Sequence, residues 1–236
     1  MTERMNTIRQ NINAIVGHLP QQVRLVAVSK YHSIEKIREA YDAGQRLFGE
    51  SRANELKEKA MLMPSNTEWH FIGHLQTNKV KTVVPLVTMI HSVDSFALIK
   101  EIDRQTERFV DERSTRGLPT QIKVLLQLRV AKEPTKFGFT YEELCRLLDE
   151  GLWKECRHVE MAGLMCIGTN TDDREEIRRE FLFAKICFDE IRQKYFPYDE
   201  SFCECSWGMT DDYPIALVNG STLVRIGSGI FGEREY

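Results

Sequence analysis

A single α/β domain spanning residues 1–236, folded as a closed (β/α)8 barrel of the TIM type with one extra N-terminal helix, is what this sequence predicts. Three observations carry that reading. Eight short runs of apolar and β-branched residues recur along the chain, helical segments lie between nearly all of them, and no linker, low-complexity tract or charge block divides it. Strands alternating with helices call for a parallel sheet covered by helices, and eight strands favour closure over an open doubly wound sheet. The open alternative often carries a Gly-rich phosphate fingerprint after its first strand. Here the first strand is followed by YHSIEK, without glycine.

The opening stretch, MTERMNTIRQNINAIVGHL, spaces Ile8, Ile12, Ile15, Val16 and Leu19 as one helical stripe. Polar residues interrupt it throughout, so it is an amphipathic helix and not a signal peptide. RLVAVSK, Arg24 to Lys30, then reads as a strand buried on both faces that stops on a lysine. The strand-like runs are Leu25–Ser29, Leu47–Glu50, Trp69–Gly73, Thr88–Ser92, Ile122–Val130, Glu160–Ile167, Phe202–Trp207 and Leu223–Ile226.

The helices between them carry start and stop signals. SIEKIREAYDAG has Ser33 as cap, Ile34, Ile37 and Tyr41 on one face and Gly44 at its end. TYEELCRLLDEG has a Thr140–Glu143 capping box, a Leu144, Leu147 and Leu148 stripe, and Gly151 as terminator. From Asp173 to Tyr195, Ile177, Phe181, Ala184, Phe188 and Ile191 share a face. TDDYPIALVNG offers Thr210 as cap, acidic residues in the first turn, Pro214 early and Gly220 late.

With 42% hydrophobic residues among 236, the chain can bury a large core, and a formal net charge of −3 argues against a general nucleic-acid binder. No apolar run approaches the length of a membrane-spanning helix. The six cysteines, Cys145, Cys156, Cys166, Cys187, Cys203 and Cys205, follow no disulfide framework and read as reduced thiols of a cytoplasmic protein. Cys203 and Cys205 would share one strand face, but without CxxC spacing packed thiols are the better reading than a metal site. His70 and His74 also tempt a metal reading; four residues apart on a strand they lie far from each other, and a buried, hydrogen-bonded His70 is expected. Gln76, Asn78 and Lys79 read either as helix capping or as a polar rim around a site.

Active sites of such barrels lie at the C-terminal strand ends, with phosphate often held after strands seven and eight. Three stretches meet there. Lys30 ends strand one, SWGMTDD from Ser206 follows strand seven, and VRIGSGIFG from Val224 closes strand eight with glycines where a backbone can approach a ligand. Closure makes strand eight the neighbour of strand one. Alternation puts Leu223, Arg225 and Gly227 on one face; an inward Arg225 would lie beside Lys30, disfavour its protonated form and sharpen it as a nucleophile toward an aldehyde. Taken singly, Lys30 reads as a solvated strand end and Arg225 as an ion-pair partner of Glu50 or Asp211. Their conjunction points to a site.

Those stretches, with FGES at Phe48–Ser51, HFIGHLQTNK at His70–Lys79, KFG at Lys136–Gly138, GLMCIG at Gly163–Gly168 and GSTLVRIGSGIFG at Gly220–Gly232, run the length of the chain. In that order they resemble the pyridoxal 5′-phosphate homeostasis proteins, single-domain relatives of the alanine racemase N-terminal barrel. The resemblance implies that Lys30 forms the internal aldimine with the cofactor's C4′ aldehyde. It implies that Arg225 faces the pyridine nitrogen and keeps it unprotonated, which limits carbanion chemistry. The phosphate is expected on Ser206 and the backbone at Gly227 and Ser228, with Thr210 assisting, and Met165 and Met209 are expected along the ring. The family commonly has asparagine where this chain has Ser51, and SMGMS where it has SWGMT. Ser51 stands on the cofactor or lysine side, and the bulkier Trp207 is expected to tighten the pocket edge.

The function so implied is intracellular pyridoxal phosphate homeostasis, with the cofactor buffered and passed to apo-enzymes that depend on it. Amino-acid racemisation is the alternative. It needs an acid/base on each face of the substrate carbon, and the partner-subunit tyrosine that racemases use comes from a second domain that this sequence is expected to lack. A phosphate-sugar enzyme using Lys30 without cofactor would explain the phosphate loops but not Arg225. Neither nucleic acid, membrane nor metal is expected as a partner, and a monomer is the simplest assembly.

Overall fold

A computed structural model describes residues 7–131 and 137–233. Eight parallel strands close into a barrel in chain order: β1 (Arg24–Val28), β2 (Leu47–Glu50), β3 (Glu68–Phe71), β4 (Met89–Val93), β5 (Ile122–Gln127), β6 (Val159–Met165), β7 (Glu204–Ser206) and β8 (Leu223–Ile226). Closure is made by β8 on β1, with Val26 opposite Arg225. The strands are short because the apolar runs outlast the ladders. Beyond Gln127, Met165 and Ser206 the chain still carries core residues, but it has left the sheet to build the mouth of the barrel.

Side chains alternate between two compartments. Ala27, Phe48, Trp69, Phe71, Ile90, Val124, Leu126, Leu164, Cys205, Val224 and Ile226 point outward into the core shared with the helices. Val26, Leu47, Met89, Leu125, Ala162, Met165 and Leu223 fill the barrel itself. That interior is packed, as in other barrels of this kind. Gly163 permits a close approach within it: its φ is +150°, and a Cβ there would lie 1.9 Å from the carbonyl oxygen of Glu204. Here β6 shifts its register against β5 while pairing closely with β7.

Most of the helical expectations hold. The extra helix runs Ile8–Val16 behind a Thr7–Gln10 capping box and buries Ile8, Ile12 and Ile15, although Val16 is exposed. The Thr140–Glu143 box opens the Tyr141–Glu150 helix, and Gly151 ends it in the left-handed region. The long helix, Arg174–Tyr195, buries the five stripe residues and is capped by Asp173. Thr210, however, does not cap the helix that follows it. The helix that follows begins at Tyr213 with Asp212 at its cap, because the intervening turn is tied back by the Met209 N–H donating to the Asp212 carboxylate. Cys203 and Cys205 also part company, since Cys203 precedes β7 and is exposed whereas Cys205 is buried. All six cysteines are free. Among the described residues no helix is long and apolar enough to cross a membrane, and no three His, Cys, Asp or Glu residues group as a metal site.

Arg113 is wholly buried outside the barrel. Its guanidinium donates to the carbonyls of Val84, Val87, Pro119 and Gln121, tying the turn before β4 to the one before β5. Burial lowers its pKa to about 10, which leaves it cationic at neutral pH.

Candidate functional site

A cleft of about 280 Å³ opens at the C-terminal mouth of the barrel. Its floor and walls come from the segments that follow β1, β2, β3, β6, β7 and β8. Seven of the nine residues expected around the cofactor line it: Lys30, Ser51, Met209, Thr210, Arg225, Gly227 and Ser228. Val28, Ile72, Ile167 and Met209 add apolar surface, and His32 lies at its edge, stacked on Phe231 at 4.7 Å. A larger depression of about 660 Å³ lies on the outer surface between the Phe96–Arg108 helix and Leu152 to Cys156. It receives none of the strand-end residues, so the chemistry belongs to the mouth.

Lys30 stands two residues beyond β1, and the backbone on both sides of it is pinned. Lys59 Nζ donates to the Ser29 carbonyl at 2.7 Å, and the Tyr31 N–H donates to Glu55 Oε1 at 2.6 Å. Ser29 Oγ donates to Glu50 Oε1 at 2.6 Å. Tyr31 is the one non-glycine residue with positive φ, +66°, among the described residues. A left-handed tyrosine costs roughly 1–2 kcal/mol, and the Glu55 and Lys59 contacts hold it there. The sequence reading did not single out Lys59, Glu55 or Glu50 as functional; only the fold brings them under Lys30.

Arg225 enters the barrel from β8 and is 4% exposed. It donates to Ser206 O at 2.7 Å, Ser206 Oγ at 2.5 Å and Cys166 O at 3.0 Å. Neither Glu50 nor Asp211 pairs with it. Burial lowers its pKa, opposed by Cys166 and Asp212, yet an arginine remains a cation and can only donate. These bonds use three of its five N–H groups while the same side chain faces the cleft.

Two expected ligands stand elsewhere. Ser206 is fully buried and does not line the cleft, its hydroxyl held between Arg225 and His91 Nδ1 at 2.9 Å, so it backs the arginine. Strand alternation is the reason, since Ser206 is the last inward residue of β7. Met165 is likewise a member of the barrel filling and does not line the cleft. Trp207 turns outward into the helix-side core, with its indole N–H donating to Asn219 O at 3.3 Å, and so does not tighten the cleft edge. Gln76, Asn78 and Lys79 are exposed and line none of it. Lys136 lies outside the described residues.

Besides Ser51, the cleft is lined by Thr210 and Ser228, whose hydroxyls stand 3.1 Å apart, and the Gly229 N–H donates to Thr210 Oγ1 at 3.3 Å. A Cβ on Gly227 would come no nearer than 3.4 Å to protein atoms. Its absence therefore relieves no clash and opens the cleft floor. An amine, a guanidinium, two adjacent hydroxyls and exposed backbone around an apolar slot form a donor set suited to a planar aldehyde that carries a phosphate.

Residues 4–235 match the family model for the N-terminal domain of alanine racemase. The chain belongs to that family. It is 35% identical over 236 residues to the pyridoxal phosphate homeostasis protein of Helicobacter pylori, covering 95% of this chain and 98% of that one. The human protein of the same name is 34% identical over 246 residues, covering 98% of this chain and 86% of that one. Among solved structures, PipY of Synechococcus elongatus superposes with a TM-score of 0.86 without pyridoxal phosphate and 0.83 with it bound. The identities are 33% and 34%, and each comparison covers 96% of this chain and 100% of PipY. Membership in this family accounts for the barrel and for the order of the motifs along it.

Proposed function

We propose that this protein binds pyridoxal 5′-phosphate and serves its homeostasis, holding the cofactor on Lys30 in the cleft and releasing it to apo-enzymes. One observation carries the reading: the amine of Lys30, the Arg225 guanidinium and the Thr210–Ser228 hydroxyl pair converge on a single cleft. The names of the relatives and the PipY structure with bound cofactor support it. Pyridoxal phosphate supplies an aldehyde, a pyridine ring and a dianionic phosphate. In this reading Lys30 Nζ bonds to the aldehyde carbon and water leaves. Arg225 donates to the ring nitrogen, which must then be unprotonated because an arginine has no acceptor. Thr210, Ser228 and the backbone at Gly227 and Ser228 hold the phosphate, and Ser51 bonds along the edge of the ring. A monomeric, cytoplasmic carrier with an open mouth completes this reading.

The test is an absorbance spectrum of the purified protein mixed with pyridoxal phosphate, before and after borohydride, beside Lys30→Ala. A visible band that borohydride bleaches, leaving the cofactor mass fixed at Lys30 and absent from the variant, is expected. A protein that stays colourless at saturating pyridoxal phosphate would overturn the proposal.

A further inference from the structure

Beneath Arg225 an unbroken file of polar groups crosses the barrel from mouth to floor. Ser206 Oγ meets His91 Nδ1 at 2.9 Å, His91 Nε2 meets His70 Nδ1 at 2.8 Å, and His70 Nε2 meets Glu68 Oε1 at 3.1 Å. Glu68 opens β3 on the floor, where Arg24 Nη2 lies 2.7 Å from its other oxygen. Ser206, His91 and His70 are all 0% exposed. The file is built from the inward positions of β8, β7, β4 and β3, among side chains otherwise apolar.

The direction of each bond follows from its ends. A carboxylate only accepts and a guanidinium only donates. His70 must therefore offer Nε2–H to Glu68, which leaves Nδ1 as acceptor for His91 Nε2–H. His91 Nδ1 then accepts from the Ser206 hydroxyl, whose oxygen accepts from Arg225. One arrangement satisfies every group with both imidazoles neutral. Burial favours the neutral rings, lowering both below the ordinary histidine range despite the Glu68 charge next to His70. Burial raises the Glu68 carboxyl, but the His70 hydrogen bond and Arg24 prevail and bring it down to about 2. The charged groups facing this file are Arg24 from β1, Glu68 from β3, Glu204 from β7 and Arg225 from β8.

We propose that His91 and His70 are positioning residues that carry one directed hydrogen-bond chain from Arg225 to Glu68, making the floor carboxylate the remote counter-ion that orients the arginine in the cleft. The chain does no chemistry itself. It fixes which face of the guanidinium is spent inside the barrel and which is presented to the ligand, and this use in ligand binding rests on the pyridoxal phosphate reading. An extra proton on either ring would set two donors against each other at Ser206 or between the imidazoles, and the chain would break. Floor and mouth are therefore coupled across the barrel.

The ligand-free protein, labelled with nitrogen-15, tests the chain apart from the cofactor. Long-range proton–nitrogen spectra should show His70 and His91 as Nε2–H tautomers, unchanged from pH 6.5 to 9. Either ring found as the Nδ1–H tautomer or as a cation at pH 7 would overturn the chain. Glu68→Ala, at a partly exposed position, should let both rings redistribute their tautomers; a His91 that keeps a pure Nε2–H form there would show that Glu68 does not direct it. Pyridoxal phosphate titrations then test the consequence. His91→Leu should bind about tenfold more weakly, as loss of one buried hydrogen bond behind the arginine implies, and His91→Gln, which can both accept and donate, should stay within about twofold. Where His91→Leu does not fold, Glu68→Ala carries the same expectation of weaker binding. Equal affinity in the cut and wild-type chains would overturn the positioning role. A wild-type protein that binds no cofactor yet shows the expected tautomers would overturn the cofactor reading, leaving the chain itself supported.

Discussion

Lys59 Nζ lies 2.8 Å from Glu50 Oε1 in a place where the two side chains are only 8% and 0% exposed. The pair sits directly under the segment bearing Lys30, since the same ammonium holds the Ser29 carbonyl and the same carboxylate accepts from Ser29 Oγ. Glu55 completes it, 2.5 Å from the ammonium, and binds the Tyr31 N–H. Two carboxylates thus share one lysine, and Glu50 Oε2 has no partner among the described residues. Burial raises the Glu50 pKa, and Lys59 is the main group opposing that rise.

Lys59→Met should therefore cost roughly 3–5 kcal/mol, the range for leaving a buried charge unpaired. The loss should depend on pH with a definite sign. Glu50 is then neutral in the folded state at low pH, and its folded pKa lies above the unfolded 4.5. Stability is present below 4.5 and lost as pH rises through the folded value. Urea midpoints at pH 5 and pH 8 check this, with the larger deficit expected at pH 8. Capture of pyridoxal phosphate should slow as well, because the backbone around Lys30 loosens.

The imidazole pair makes the opposite prediction for acid. His70 and His91 are depressed below the ordinary histidine value of 6.5, so the unfolded chain takes up protons that the folded one refuses. Stability should be complete above 6.5 and decline as pH falls toward the folded values. Glu68, lowered from 4.5 to about 2, adds a further loss below 4.5 in the same direction. Urea midpoints between pH 7.5 and 5 should fall for the wild type. His91→Gln should flatten the slope.

Arg113→Met should remove the donors of four carbonyls, of which those of Val84 and Val87 are buried. Unsatisfied buried acceptors cost about 1–3 kcal/mol each, so a loss of at least about 2 kcal/mol is expected in thermal unfolding. Affinity for pyridoxal phosphate, measured below the melting range, should be unchanged because Arg113 lies outside the cleft.

Gly73 abuts the backbone at Ser51, where a Cβ would stand 2.4 Å from the Ser51 oxygen and 2.7 Å from its Cα. Gly73→Ala should push Ser51 out of the cleft wall, with roughly 1–3 kcal/mol of strain. Denaturant titration and cofactor titration should both register the change, whereas Ser51→Ala should alter cofactor binding with little effect on stability.

How much of this was legible beforehand follows from the range of each interaction. Strand and helix succession, the Thr140–Glu143 box and the stripe from Ile177 to Ile191 are local patterns, set by neighbours within a turn or two. The closeness of Lys30 and Arg225 needed one global fact, closure, which the strand count supplied. Ser206 shows where motif reading stops. It sits beside Thr210 in one hydroxyl-bearing stretch, and nothing local says that strand alternation sends the first into the barrel and leaves the second at the cleft. Trp207 was misplaced for the same reason, its large ring facing the helices.

By itself the sequence determined the barrel, the family and the residues that gather at its mouth, because periodicity and motif order survive without coordinates. Only the tertiary structure decided that Glu68, His70, His91 and Ser206, drawn from three strands, stand in file behind Arg225. It also decided that Lys59 from a helix clamps the Ser29 carbonyl, next to Lys30. The physical reason is that hydrogen-bond direction and charge pairing depend on which side chains the closed sheet turns inward and at what height. Those are relations between strands, and no single stretch of chain contains them.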